Sequence, residues 1–201
     1  GAGTVSEYAT RAALGLGASV KVFDSSIYKL RELQNRLGQR IYTSVFQPDV
    51  IEEALISADV VIAAKHAPEG ISTCFIPESM VRKMKSGAVI IDVSIDQGGC
   101  FETSRPTNHQ NPVFQLHGVT HYCVPNIASK VPHTASSSFS NFFGSLLIEI
   151  AENGGVSNSL KSNSSLAKGT YIFNGILTNE QISKKFDLPL QYLDLLLAAF
   201  F

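Results

Sequence analysis

With 201 residues, of which 44% are hydrophobic and 16% charged, the chain can bury a core and is too apolar to remain disordered. Its formal net charge of −1 excludes the basic face that nucleic acid or an anionic membrane surface would need, and no apolar run nears the roughly 20 residues of a membrane span. The three cysteines, Cys74, Cys100 and Cys123, are odd in number and lack C-x-x-C spacing, which suits a reducing compartment such as the cytoplasm better than disulfides or zinc.

The chain opens on a glycine-rich turn, Gly1-Ala2-Gly3. An alanine-rich helix is predicted over 4–16, with Val5, Ala9, Ala12 and Ala13 on one face and Gly15 and Gly17 at its end. A strand then closes on Asp24, and Ser25 or Ser26 caps a second helix that carries Ile27, Leu30, Leu33 and Leu37 at helical spacing. Residues 40–44 read as a strand and 48–56 as a helix. The run Asp59-Val60-Val61-Ile62-Ala63-Ala64 has the continuous apolar character of a parallel strand covered on both faces. Its carboxyl end feeds the loop Lys65-His66-Ala67-Pro68-Glu69-Gly70. A helix over 77–84 leads into the strongest strand, Ala88-Val89-Ile90-Ile91-Asp92-Val93. Two further strands follow at 113–116 and 119–124, and a long helix begins at Pro132 and stops at Asn153-Gly154-Gly155.

Strands alternating with short helices predict an α/β, Rossmann-like, doubly wound parallel sheet. The boundary falls near Val131–His133. Residues 1–132 form the sheet domain, and 133–201 form a helical portion with too few core residues to stand alone. In such sheets ligands bind outside the carboxyl ends of the strands, which directs attention to four stretches: Gly1 to Ser6, Asp24, Lys65 to Gly70, and the loop after Val93.

The first two stretches read together as a dinucleotide site. One glycine permits a tight turn, the next lets the backbone approach a pyrophosphate, and the helix N-terminus favours the phosphate charge. An acid about 20 residues on would accept hydrogen bonds from the adenosine ribose, and an acid followed by serines repels a 2′-phosphate, favouring NAD over NADP. Ser6 stands where the fingerprint wants a third glycine, and the strand that feeds such a turn would precede Gly1. The plainer reading is a turn that binds nothing. Among the histidines, His66 lies at the ligand-binding edge, His109 and His117 read as turn residues, and His121 reads as a packed core residue. His133 begins a helix. None has metal-ligand spacing.

The string Ile95-Asp96-Gln97-Gly98-Gly99-Cys100-Phe101-Glu102 resembles the alanine dehydrogenase family. The likeness extends to Gly1-Ala2-Gly3-Thr4-Val5, to Met80-Val81-Arg82-Lys83-Met84-Lys85-Ser86-Gly87, to His121-Tyr122-Cys123-Val124-Pro125-Asn126-Ile127 and to Asn163-Ser164-Ser165-Leu166-Ala167-Lys168-Gly169. The resemblance implies NAD-dependent oxidative deamination of L-alanine to pyruvate and ammonia, in either direction, by a homo-oligomer acting on a small amino acid or 2-oxo acid. It implies that Gly1, Gly3, Thr4, Val5 and Asp24 hold NAD. Asp96 would be the catalytic acid beside the nicotinamide, Ser94 and Ile95 would line the same edge, and Asn126 would lie on the nicotinamide ribose side. General acid–base work near neutral pH suits a carboxyl whose pKa is raised by partial burial, as expected for Asp96. The plainer alternative is that Asp96 caps its own loop. Family members carry an N-terminal substrate half, which these 201 residues do not contain, and residues 133–201 match the C-terminal part of their split substrate domain. The loop over 65–70, Pro125 and Ser6 depart from the family pattern. Rival readings are the NAD(H)-binding component of a proton-translocating transhydrogenase and a non-catalytic NAD-binding module.

Overall fold

The computed structural model describes residues 1–65 and 75–199. His66, Cys74 and the rest of that loop lie outside the described residues, as do the last two phenylalanines. Two compact units result, Gly1–Ile127 and Ala128–Phe201.

The first unit begins with α1 (Thr4–Gly15), β1 (Lys21–Phe23) and α2 (Ile27–Leu37). Ser26 caps α2 by accepting from Lys29 N, and Gly38 ends it in the left-handed conformation that glycine reaches without a Cβ penalty. β2 (Tyr42–Ser44) pairs parallel with β1. Next come α3 (Pro48–Ser57), β3 (Val60–Ala63), α4 (Glu78–Val81), β4 (Val89–Asp92), β5 (Val113–Leu116) and β6 (Val119–Tyr122). A four-stranded sheet of order β3-β4-β6-β5 carries the main core, in which Val81, Ile90, Cys100 and Val119 are fully buried. Parallel strand pairs β1–β2 and β3–β4, each joined through a helix, and β6 parallel to β4 beyond the loop and β5, bear out the α/β expectation with a parallel-containing sheet.

Three expectations need adjustment. β5 runs antiparallel to β6, because His117 and Gly118 both take positive φ (54° and 74°), the backbone of a two-residue hairpin turn. α4 is a single turn instead of a helix to Met84, since the chain must reach Val89 within eight residues of Val81. β3 is not covered on both faces, with Val60 55% and Ile62 40% exposed. β1 and β3 do not pair. Their facing edges, with Ala9 and Ala13 of α1, line a cavity of about 510 Å³. The smaller β1–β2 piece has its own core, Val22, Leu30 and Leu33, while Phe23 packs against the main one.

The second unit comprises α5 (Pro132–Glu152), α6 (Val156–Ser162), α7 (Ser164–Gly169), the hairpin β7 (Ile172–Phe173) and β8 (Ile176–Leu177), α8 (Glu180–Phe186) and α9 (Leu193–Ala199). The hairpin turns on Asn174-Gly175, both at positive φ. Leu160, Phe173, Leu196 and Leu197 form its core, and Phe139, Phe142 and Phe143 of α5 are exposed. Among the described residues no helix is long and apolar enough to cross a membrane.

Candidate functional site

Every candidate site residue lies in the first unit, along the carboxyl ends of its parallel strands. Gly1 sits against two of them. Its nitrogen donates to Phe23 O at 2.6 Å, and a Cβ built on it would stand 2.4 Å from Ala64 O, so only glycine fits between the ends of β1 and β3. Gly3 differs, because a Cβ there meets nothing within 4 Å and its backbone is extended. The space a side chain would fill at Gly3 is open to a ligand.

Gly3 is the N-cap of α1 and supplies no side-chain hydrogen bond, so Thr4, Val5 and Ser6 present their N–H groups outward from the first turn. Thr4 and Val5 are exposed. Glu7 stands in the same turn, where its charge would oppose a phosphate. Arg36 at 3.2 Å and Arg11 at 3.1 Å neutralise it, and their hydrogen bonds hold its carboxyl below the ordinary range. The first turn thus presents outward N–H groups, with the charge of Glu7 beside them already balanced.

Asp24 follows β1 and is 7% exposed. Oδ2 accepts from Ala2 N and Oδ1 from Ser26 N, each at 2.8 Å. The carboxylate therefore stitches the glycine turn to the start of α2. Each oxygen keeps a lone pair for a ribose hydroxyl, and the structure brings Gly1, Gly3, Thr4, Val5 and Asp24 into one cluster.

A second cluster hangs from β4. Ser94 and Ile95 are buried, and Ser94 Oγ donates to Lys65 O at 2.9 Å, which ties this loop to the end of β3 beside Gly1. Lys65 Nζ stands 5.0 Å from the Phe46 ring centre and 4.9 Å from that of Phe75. Ile95–Gln97 form a 3-10 turn that points Ile95 inward and Asp96 outward. Asp96 is exposed, which corrects the expected partial burial: on so tight a turn, burying Ile95 puts its neighbour in solvent. Its carboxylate has no hydrogen-bond partner among the described residues, so it does not cap its own loop. Asn126 is also exposed, in left-handed backbone (φ 53°), past the end of β6, the strand next to β4.

The sequence reading overlooked Asp92. It ends β4 at 1% exposure and accepts from Ser94 N, Cys100 N and Ser104 Oγ. An acid closing an otherwise apolar strand was the available signal. His121 is fully buried, as expected, between Thr103 Oγ1 at 2.8 Å and the Phe114 ring stacked at 4.8 Å. The aromatic pair Phe46 and Phe75 was also missed, since the two lie far apart in sequence.

The glycine-turn cluster and the β4 loop both lie at carboxyl ends of parallel strands, and the Asp96 carboxylate beyond them has no hydrogen-bond partner among the described residues. Known proteins carry the same arrangement of chain. Residues 1–180 match the family model described as alanine dehydrogenase/PNT, C-terminal domain. The alanine dehydrogenase of Mycolicibacterium smegmatis is 41% identical over 189 residues, covering 94% of this chain and 51% of that protein. That of Bacillus subtilis is 37% identical over 193 residues, covering 96% and 50%. A solved L-alanine dehydrogenase superposes with a TM-score of 0.83 at 35% identity, covering 93% of this chain and 51% of the other. A transhydrogenase structure from Sinorhizobium meliloti, with a TM-score of 0.68 and 22% identity over 90% and 48%, shares the fold. The chain spans about half the length of the curated relatives it matches. It belongs to the alanine dehydrogenase/PNT C-terminal domain family.

Proposed function

We propose that this chain is the cofactor-binding half of an NAD-dependent L-alanine dehydrogenase, which converts L-alanine, NAD and water to pyruvate, ammonia and NADH. The observation that carries the reading is the placement, at the carboxyl ends of parallel strands of one unit, of a built glycine turn and an exposed acid. Asp24 locks the turn, while the Asp96 carboxylate has no hydrogen-bond partner among the described residues.

In this reading Gly3 admits the pyrophosphate to the backbone, the first N–H groups of α1 bind it, and Thr4 and Val5 flank it. Asp24 accepts from the adenosine ribose and selects against a 2′-phosphate. Bound NAD supplies a hydride acceptor for the substrate α-carbon. Ser94 and Ile95 form the floor beneath the nicotinamide, and Asn126 stands on its ribose side. Asp96 relays protons as water adds to the imine and ammonia departs. Residues 1–132 act as the NAD-binding domain, and 133–201 belong to the substrate domain. The partners are a small amino acid or 2-oxo acid and further copies of the protein, acting in the cytoplasm. A free carboxylate on the cofactor edge favours the dehydrogenase over a module that only binds NAD.

Calorimetric titration of this chain with NADH, with NADPH as comparator, tests the cofactor half of the proposal. NADH is expected to bind and NADPH to bind at least roughly tenfold more weakly, given the carboxylate at Asp24. Equal affinity for both would remove Asp24 from the ribose site.

A further inference from the structure

The acid that reaches no ligand is the better connected of the two on the β4 loop. Asp92 Oδ1 accepts from Ser94 N at 3.1 Å, and Oδ2 accepts from Cys100 N and Ser104 Oγ, each at 2.7 Å. No Lys or Arg forms an ion pair with it among the described residues. Burying a carboxylate without a cation is costly unless strong donors converge on it. Here three do, from the two ends and the middle of a single loop.

That loop runs from Ser94 to Ser104. Inside it, Gln97 N and Gly99 N both donate to Ser94 O, at 2.9 and 3.0 Å, and Gly98 N donates to Ile95 O at 3.1 Å. The loop's fit around Asp92 is close. A Cβ on Gly99, which holds φ +78°, would stand 3.0 Å from Asp92 Oδ2 and 3.1 Å from Ser104 Cβ. Asp96 stands on the outer side of this loop, and its carboxylate has no hydrogen-bond partner among the described residues. Its position is therefore set by the anchors on either side: Ser94 Oγ donating to Lys65 O, Cys100 O accepting from Phe75 N and Ile76 N, and the three donors that meet at Asp92.

We propose that Asp92 is a positioning residue: its buried carboxylate gathers both ends of the Ser94–Ser104 loop and so determines where Asp96 stands. The proposal rests on the reading of Asp96 as the acid that handles protons. Asparagine cannot replace Asp92, because in either orientation its NH2 group would face a backbone N–H, that of Ser94 or that of Cys100, leaving that donor without an acceptor.

The test is a double-substitution cycle in the catalytically complete protein, with this chain joined to the other half that its relatives carry. Asp92→Asn should lower kcat about 10- to 100-fold, since small displacements of a reacting group cost that much, and leave NADH affinity within about threefold. In an Asp96→Asn background the same change should lower kcat by less than about threefold, because Asp92 acts through Asp96. Equal losses in both backgrounds, or wild-type kcat in Asp92→Asn, would overturn the proposal. Full turnover in Asp96→Asn alone would instead sink the catalytic reading, and this proposal with it. If Asp92→Asn does not fold, Ser104→Ala removes one donor more gently. It should lower kcat about 3- to 10-fold with little further effect in Asp96→Asn, and Ser104→Thr should restore most of the loss. A Ser104→Ala protein with wild-type kcat would then overturn the proposal.

Discussion

Asp24 and Asp96 both lie just past a parallel strand on the same edge of the molecule, yet they are held in opposite ways. Asp24 is buried, with one backbone amide on each carboxylate oxygen, and it closes the glycine turn against α2. Asp96 is exposed and its carboxylate has no hydrogen-bond partner among the described residues, while the buried Asp92, the last residue of β4, does the holding. An acid whose oxygens are already engaged by the backbone can add a ligand only through its remaining lone pairs, so it serves shape and affinity together. An exposed acid with no hydrogen-bond partner among the described residues can be substituted without disturbing the fold. On the proposed reading the first serves affinity and the second chemistry.

The sharpest way to break that contrast is Asp96→Asn in the catalytically complete protein. Turnover should fall about 10²- to 10⁴-fold, the usual worth of a positioned acid or base, while the unfolding free energy stays within about 0.5 kcal/mol, as for an exposed change. Comparable loss of stability would show that Asp96 is part of the scaffold after all. Asp24→Ala should do the reverse. Losing two hydrogen bonds to a charged acceptor should cost about 3 kcal/mol in denaturant unfolding and weaken NADH roughly tenfold or more in a calorimetric titration. Unchanged NADH affinity would leave Asp24 as a structural brace only.

The two glycines sharpen the comparison on a smaller scale. Gly1→Ala drives a methyl group into Ala64 O and should destabilise the turn by about 1–3 kcal/mol, as overpacking does. Gly3→Ala meets no protein atom and should cost at most about 1 kcal/mol at this N-cap. Its NADH affinity should nevertheless drop severalfold, because only the cofactor would contact the new methyl group. If Gly3→Ala binds NADH normally, the pyrophosphate lies elsewhere.

The smallest effect concerns pH. Burial pushes the His121 imidazole below its ordinary pKa, against a smaller opposing pull from the Val119 carbonyl. Thr103, Phe114, Arg105, His117 and Asp92 surround it. Below the unfolded-state value of about 6.5 the unfolded chain binds a proton that the folded one resists. This contribution is therefore fully present above about pH 6.5 and is lost as pH falls toward the depressed folded value. Denaturation midpoints at pH 7.5 and 5.5 should differ by less in His121→Gln than in the parent. An identical difference would show that His121 takes up its proton as readily in the folded protein as in the unfolded chain.

Much of this was legible from residue spacing. Ser26, Leu30 and Leu33 marked α2, and the apolar run into Asp92 marked β4, because caps and periodicity are local. The glycine turn and its acid were legible for the same reason. The direction of β5 was not, since pairing is long-range, although His117-Gly118 held the turn chemistry. Asn174-Gly175 is a still plainer hairpin signal, and it went unread inside a stretch taken as helical. Asp92 looked like the end of a strand. Its three donors come from residues 2, 8 and 12 positions downstream, and only the folded loop brings them together.

The seam between β1 and β3 has a kinetic consequence. A two-stranded β1–β2 sheet is marginal alone, the core it shares with α2 is small, and the piece joins the main core through Phe23 and Phe46. Such a piece opens as a cooperative unit at lower free energy than the sheet centred on β4. Its amide protons would then exchange with solvent sooner than those of Ile90 and Ile91. Asp24 rides on the looser piece and Asp96 on the firmer one, so a dinucleotide spanning both would slow that exchange by clasping the two pieces together.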